Sequence, residues 1–183
     1  MVTVRQATGS DRRLVQELFA EYLWAVCPRC NREYGTSFDP DAMVPNDMEH
    51  LDVFTPPQGR LLLAWADDGG AGKAAGGADA AAAGLICVRT IAPRLGEIKR
   101  MYVRPAMRRH GIGRALVDAA VAGMSVEGYT GLRLDSARFM SEAHSVYRAA
   151  GFREIEPYAE SEVPQEFHAH WVFMEAPLVE DQD

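Results

Sequence analysis

The fold is decided by residues 97–114, which read EIKRMYVRPAMRRHGIGR. The pattern predicts a strand over 97–103 that ends near Val103, followed by a turn that contains Pro105. The sequence Arg-x-x-Gly-x-Gly at 108–113 then opens a helix. Apolar residues at helical spacing predict the buried face of that helix: Ile112, Ala115, Leu116 and Ala119.

The start of this helix is suited to binding an anion. Glycine at 111 and 113 lets the backbone come close to a bulky group, because glycine has no β-carbon. The first N–H groups of a helix lack internal partners and point outward with the positive end of the dipole. The segment also concentrates four arginines: Arg104, Arg108, Arg109 and Arg114. Taken alone, the two glycines could equally form a turn with a purely structural role. The motif also differs from a Walker loop and from the three-glycine Rossmann motif.

The rest of the chain surrounds this segment with further strands and helices. Strands are predicted over 2–7, 61–66, 85–89, 97–103, 131–135, 152–158 and 171–175. Helices are predicted from about Ser10 onward, over 111–127 and over 141–150. The crossovers after residue 97 have the length that parallel βαβ units require. We therefore expect a single α/β domain over 1–183, a three-layer sandwich whose mixed central sheet of about six to seven strands has helices on both faces.

Two segments lack a clear pattern of secondary structure. The segment from Tyr34 to Gln58 has no lysine or arginine and reads as acidic and partly irregular. The tract from Gly69 to Gly84 is glycine and alanine except for Lys73 and Asp79, which predicts a poorly packed, mobile hairpin connection.

Composition excludes several classes of protein. Lysine and arginine number 19 against 26 aspartates and glutamates, and the net charge of -7 opposes general binding of nucleic acid or anionic lipid. No run of 18 apolar residues is present, so we expect no membrane span. The 3 cysteines cannot all pair, and without a secretory signal they predict reduced thiols and a cytoplasmic protein.

Together these features resemble the GNAT superfamily of acetyl-coenzyme A (acetyl-CoA) dependent N-acetyltransferases. The resemblance rests on the strand from Glu97, the glycine-containing helix start at 108–113, and a later Ala143-x-x-x-Tyr147-x-x-x-Gly151-Phe152. It is strong over about 95–158 and rests on the order of elements alone over 2–94. The last strand, at about 168–176, also matches the family's topology.

The resemblance implies a site for acetyl-CoA as co-substrate. Main-chain groups of the strand residues Met101, Tyr102 and Val103 would hold the pantetheine arm as an added strand does. The helix start would wrap the pyrophosphate with residues Arg108, Arg109, His110, Gly111, Ile112, Gly113 and Arg114. The acetyl-CoA-binding part would span about 95–158, and the acceptor side about 1–94.

The resemblance also implies two catalytic residues. Glu97 stands where some members of the family place a general base, although it could instead be a solvated strand-end glutamate that balances Lys99 or Arg100. Tyr147 matches the tyrosine that serves the family as general acid. A phenol has an ordinary pKa near 10 and can donate a proton at neutral pH. The alternative is an aromatic side chain that only fills the interior face of a helix.

We therefore expect direct transfer of an acetyl group to the primary amine of a small molecule or peptide, in a ternary complex and without a metal. Five carboxylates of the acidic segment hint at a cationic acceptor, although a solvated loop fits equally well: Asp39, Asp41, Asp47, Glu49 and Asp52. Dimers are frequent in the family resembled, so a homodimer is compatible with the chain.

Two other functions are open from the sequence. A non-catalytic domain that senses CoA or acyl-CoA would use the same anion site, but would need neither Glu97 nor Tyr147. A metal or redox module would use Cys27 and Cys30 with His168 and His170. The two pairs lie far apart in sequence, no second Cys-x-x-Cys is present, and we expect residues 27–30 to follow the first helix and not to open one as a thioredoxin motif would. We expect Cys87 to be buried and His110 and His144 to lie at the surface.

Overall fold

A computed structural model describes residues 1–66 and 82–178. Its strands are β1 (Val2–Gln6), β2 (Gly59–Ala66), β3 (Gly84–Ala92), β4 (Leu95–Val103), β5 (Gly131–Ala137), β6 (Arg153–Ile155) and β7 (Trp171–Pro177). Its α-helices are α1 (Arg12–Tyr34), α2 (Pro40–Glu49), α3 (Ile112–Val126) and α4 (Ser141–Ala149). Short 3-10 turns join several of these elements.

The strands form one mixed sheet in the order β1-β2-β3-β4-β5-β7-β6. Only β4 and β5 are parallel neighbours; the other pairs are antiparallel. Because β7 lies between β5 and β6, the second predicted crossover does not place its strands side by side. Within the described residues the sheet has seven strands, as predicted.

Helices cover both faces of the sheet. Along β2, Leu62 and Ala64 belong to the apolar core with α3, while Leu61 and Leu63 belong to the core with α1. This division follows from the strand period of two, because successive side chains point to opposite faces. The predicted three-layer α/β sandwich is confirmed.

The first helix is longer than predicted. It runs through Pro28 to Tyr34 and places Cys27 and Cys30 inside the helix, although the sequence suggested that they follow it. Proline removes one helical hydrogen bond. The burial of Cys27, Cys30 and Leu23 on one face outweighs that loss, and the helix ends at Gly35, which has a left-handed φ of 70°.

The two irregular segments also differ from the expectation. The acidic segment contains α2, which begins with Asp39 as N-cap and Pro40 in the first turn. Residues 69–81 of the glycine–alanine tract lie outside the described residues. The end of the tract is not a loose connection, because Ala82 and Ala83 are buried and Gly84 begins β3.

None of the helices within the described ranges combines the length and apolarity needed to cross a bilayer.

Candidate active site

The sheet opens between β4 and β5. The two strands pair only from Leu95 to Ile98 of β4, although β4 continues to Val103. On its other side, β4 pairs with β3, and there it has a bulge: between two paired positions β4 has one residue more than β3. Arg100 lies in this stretch and has a φ of 53°. Such a bulge bends a strand and increases its twist. The result is a cleft beside the last five residues of β4.

The bulge is fixed by a buried ion pair. Asp47 of α2 accepts two hydrogen bonds from Arg100, at 2.7 and 3.0 Å. Burial disfavours the charge on Arg100, yet the hydrogen bonds and the charge of Asp47 raise its pKa above the ordinary value. The acidic segment thus supports the cleft through Asp47, and none of its five carboxylates is among the residues that line the two cavities described next.

The main-chain groups of Met101 and Val103 point into the cleft. The Arg104 N–H donates to the Ala83 carbonyl on the β3 side, at 2.9 Å. Because main-chain groups alternate between the two sides of a strand, those of Val103 and Met101 face away from β3. The Arg108 side chain donates to the Val103 carbonyl at 3.1 Å.

A cavity of about 880 Å³ runs from this strand to the start of α3 and the side of α4. Nine of the ten predicted donor-binding residues line it: Met101, Tyr102, Val103, Arg108, Arg109, Gly111, Ile112, Gly113 and Arg114. The tenth, His110, is exposed, and its ring lies 2.8 Å from the Arg108 carbonyl. We call this space the donor cavity.

The backbone at the start of α3 takes the shape that an anion site needs. Arg109 and Gly111 adopt left-handed φ values of 67° and 78°. The Ala115 N–H donates to the Gly111 carbonyl, which is the usual hydrogen bond of a helix. The amides of residues 112–114 precede this bond and have no partner within the helix. Buried Ile112 anchors this turn to the core.

The four arginines of the segment are not all directed at this turn. Arg104 pairs with Glu21 of α1 at 2.8 Å, and Arg114 pairs with Asp118 at 2.7 Å. Among the described residues, neither Arg108 nor Arg109 has an ion-pair partner, and the Arg108 side chain donates to the Val103 carbonyl. Arg108 and Arg109 are therefore the cations that remain available to a phosphate in the donor cavity.

A second, smaller cavity of about 260 Å³ adjoins the donor cavity. Four residues line both, and they mark where the two spaces meet: Tyr22, Val26, Met101 and Met140. The smaller space lies between α1, the ends of β4 and β5, and residues 162–171. We call it the acceptor cavity.

Tyr147 of α4 lines the acceptor cavity and is 5% exposed. Its hydroxyl has no hydrogen-bond partner among the described residues. Burial raises its pKa above the ordinary value, so the phenol stays protonated at neutral pH. Gly151, after the end of α4, has a φ of 93°, the left-handed conformation that glycine often adopts just after a helix.

Glu97 is not the solvated strand-end residue that the sequence allowed. Its side chain has no exposed surface. Tyr158 donates to Oε1 at 2.6 Å, Arg89 donates to Oε2 at 2.8 Å, and the Lys99 Nζ lies 3.5 Å from Oε1. Burial raises the pKa of Glu97, against the lowering effects of Lys99 and of the Tyr158 hydroxyl. A group in the acceptor cavity can thus reach Glu97 only through an intermediary.

The polar floor of the acceptor cavity centres on Lys99. Its Nζ lies 3.0 Å from Asp135 and 3.7 Å from Glu162, and both residues line the cavity. Beside them, the Ser136 hydroxyl lies 3.0 Å from the His144 ring. His144 is 3% exposed, so the expectation of a surface histidine is wrong. It lies on the inner face of α4, where it meets the end of β5.

The cysteines and C-terminal histidines do not form a metal site. All three cysteines are free and buried, and burial raises their pKa, to about 11 for Cys30. His168 lies 2.9 Å from the Val163 carbonyl, and His170 stacks on Tyr34. Across residues 1–66 and 82–178, no three histidine, cysteine or acidic side chains are grouped as a metal ion requires.

Sequence reasoning missed several residues of the acceptor cavity. Tyr22 reads only as part of the apolar face of α1, and Glu162 and Phe167 lie in a stretch without periodicity. Tyr158 lies 61 positions from Glu97, and no local pattern connects the two.

The structure is thus an α/β protein whose sheet opens beside a glycine-containing helix start, with a long cavity that leads to a smaller one. The acetyltransferase (GNAT) domain matches residues 57–154. The chain belongs to the GNAT family of acetyltransferases.

Curated relatives are named as acetyltransferases as well. An uncharacterized N-acetyltransferase of Schizosaccharomyces pombe is 30% identical over 61% of this chain. The match covers 62% of that protein's length, and matches to two other curated relatives cover 30% and 52% of theirs. The chain therefore spans less than two thirds of each of these three relatives. An aminoglycoside N(6')-acetyltransferase type 1 of Stenotrophomonas maltophilia is 32% identical over 90% of this chain and 94% of its own length.

Two solved structures share the fold. A GNAT acetyltransferase from Staphylococcus aureus Mu50 has a TM-score of 0.70 at 17% identity and covers 98% of this chain and 100% of its own. The PaiA N-acetyltransferase from Thermoplasma acidophilum, solved in complex with coenzyme A, has a TM-score of 0.64 at 18% identity. The match covers 97% of this chain and 99% of that protein.

Proposed function

We propose that this enzyme transfers the acetyl group of acetyl-CoA to the primary amine of a small molecule or peptide by direct attack in a ternary complex. One observation carries the proposal: the donor cavity along β4 opens into the acceptor cavity at Met101 and Tyr22, and Tyr147 lines the latter. A donor extended along β4 would have its thioester at this junction. This arrangement would bring together an acyl group, an amine and a proton donor.

The donor would be held mainly by the backbone. Met101 and Val103 offer main-chain groups to the pantetheine arm, with Tyr102 between them, and residues 108–114 offer amides and arginines to the pyrophosphate. Acetyl-CoA supplies the activated acyl group. An acyl sensor would need only this half of the site, whereas Tyr147 and the acceptor cavity serve a reaction.

Tyr147 would protonate the departing sulfur. The phenol is protonated at neutral pH, and its hydroxyl is free of other partners among the described residues. Glu97 would take up the proton of the acceptor ammonium. Because Glu97 is enclosed, that proton would travel through a water or through the polar floor around Lys99, not by direct contact.

Direct transfer is favoured over an acyl-enzyme. Cys27 and Cys30 line the acceptor cavity, but burial raises the pKa of both thiols and keeps them protonated and weakly nucleophilic. Ser136 also lines it, beside His144. Intact mass measured after incubation with acetyl-CoA alone should show no added acetyl group; an acetylated Ser136 would exclude direct transfer.

We further propose one domain over 1–183 and a cytoplasmic location. Three free cysteines buried in apolar surroundings support a reducing compartment. A homodimer is compatible with the family and would be measured by analytical ultracentrifugation.

The proposal is tested by measuring thiol release from acetyl-CoA over a library of primary amines, with Tyr147→Phe as control. We expect at least one amine to accelerate release, and the variant to lose most of that acceleration. If CoA binds but no amine accelerates release above hydrolysis, the protein is a CoA-binding domain and the proposed reaction is wrong.

A further inference from the structure

We infer that the acceptor cavity binds a primary monoamine with a compact, aromatic body. This inference rests on the proposed function, because it identifies the acceptor of that reaction. It follows from the walls of the cavity, the charge of its floor and its volume.

The walls of the cavity are apolar, and many of them are sulfur-containing or aromatic. The apolar lining residues are Leu23, Val26, Cys27, Cys30, Phe38, Met43, Ile98, Met101, Ala137, Met140, Val163, Pro164, Phe167 and Trp171. Phe38 meets Trp171 edge-on, with ring centroids 6.3 Å apart and planes at 87°. Phe167 lies 6.3 Å from the same indole at 49°. Rings set at such angles offer both faces and edges to a further aromatic ring.

The charges of the cavity are confined to its floor. Arg100 is neutralised by Asp47, so it offers no free charge to an acceptor. The remaining cluster has three carboxylates, those of Glu97, Asp135 and Glu162.

Two cations, Lys99 and Arg89, balance two of those three carboxylates. Once Glu97 has lost its proton, one negative charge is left over, and a single ammonium would neutralise it. A carboxylate on the acceptor would add to the negative excess.

A polycationic acceptor fits poorly. Its additional ammonium groups would lie against the apolar walls, where an unpaired charge is costly to bury. The carboxylates of residues 39–52 could have paired with these ammonium groups, but they do not line the cavity. The volume of about 260 Å³ is also below the roughly 300–1,000 Å³ of common ligand pockets, which favours a small body over a linked set of sugar rings.

The test compares four amines in the thiol-release assay: phenethylamine, phenylalanine, spermidine and kanamycin. Phenethylamine should have a kcat/KM at least about 100-fold above that of the other three, the factor expected when a second buried charge costs a few kcal/mol. Calorimetry with phenethylamine on the CoA-saturated protein gives a readout that does not depend on turnover.

A variant ties the effect to the cavity wall. Phe167 is half-buried on the short turn Gln165–His170, so alanine should be tolerated there. Phe167→Ala should raise the KM and the Kd for phenethylamine about tenfold, by removal of one aromatic contact, and leave CoA affinity unchanged. The control is Tyr129→Ala, which truncates a half-buried aromatic outside both cavities and should leave both constants unchanged.

The outcomes separate the inference from the proposed function. If spermidine, kanamycin or phenylalanine is the best substrate, the enzyme is an acetyltransferase and the monoamine inference is wrong. If no amine is acetylated but phenethylamine binds and Phe167→Ala weakens that binding, the proposed reaction is wrong and the inferred class of ligand stands. If phenethylamine neither binds nor reacts, the inference is overturned.

Discussion

Replacing Gly113 by alanine should separate donor binding from folding. A β-carbon at this position would lie 3.8 Å from Val146 and 3.9 Å from Val103, which is ordinary van der Waals contact. Both valines line the donor cavity, so the added methyl group would occupy space between them. The φ of Gly113 is not left-handed, and the protein itself therefore tolerates alanine.

The expected magnitudes follow from this geometry. In a helix, alanine is favoured over glycine by up to about 1 kcal/mol, which raises the Tm by roughly 2–4 °C for a chain of this size. CoA affinity should fall, because the donor loses close approach to the helix start. Loss of one hydrogen bond to a charged phosphate costs about 1.5–3 kcal/mol, or roughly 10–150-fold in Kd.

The assay pairs calorimetric titration of CoA with thermal unfolding, and Gly111→Ala is the control. Gly111 has a left-handed φ of 78° with nothing near its missing β-carbon, so alanine there should cost about 1–2 kcal/mol of stability. The two variants thus have opposite effects on the Tm. If Gly113→Ala binds CoA within about twofold of the wild type, close approach at this glycine contributes nothing and the reasoning is refuted.

Three further predictions concern the catalytic groups and the bulge. Tyr147→Phe should lower kcat by about 100-fold or more and leave the Kd for CoA unchanged; equal losses in both would mean that the ring only packs. In the wild type, kcat should rise with pH as Glu97, whose pKa is raised by burial, loses its proton, and Glu97→Gln should flatten that rise; an unchanged pH profile would remove its role as base. Asp47→Asn leaves Arg100 without its buried partner and should cost about 3 kcal/mol in urea unfolding; a loss below about 0.5 kcal/mol would show that the ion pair does not hold the bulge.

The donor side of the site could be predicted from sequence because its determinants are local. Strand, turn, glycine and helix follow one another within 97–114, and the backbone of the same segment forms the donor cavity. Residues 108–114 therefore carry both the pattern and the geometry. His110 differs because its side chain, unlike the backbone around it, turns to the solvent side of the loop.

The acceptor side depends on contacts between distant segments. Burial of Glu97 requires Arg89 on β3 and Tyr158 beyond β6, and no spacing rule relates these positions. The α2 helix did have a signal, since Asp39 before Pro40 is typical of a helix start, but the acidic composition of the segment obscured it. His144 was misjudged because a polar residue on a short helix gives no sign that a serine of β5 lies beneath it.

The central claim is that backbone amides of residues 108–114 bind the diphosphate of the donor. It is tested most directly by calorimetric titration of the wild-type protein with CoA and, separately, with pantetheine, which has the same thiol arm but lacks the phosphates and the adenosine. We predict that CoA binds at least about 100-fold more tightly than pantetheine, as expected from two or more charge-assisted hydrogen bonds. Absence of heat with CoA, or equal affinity for the two compounds, would contradict the claim.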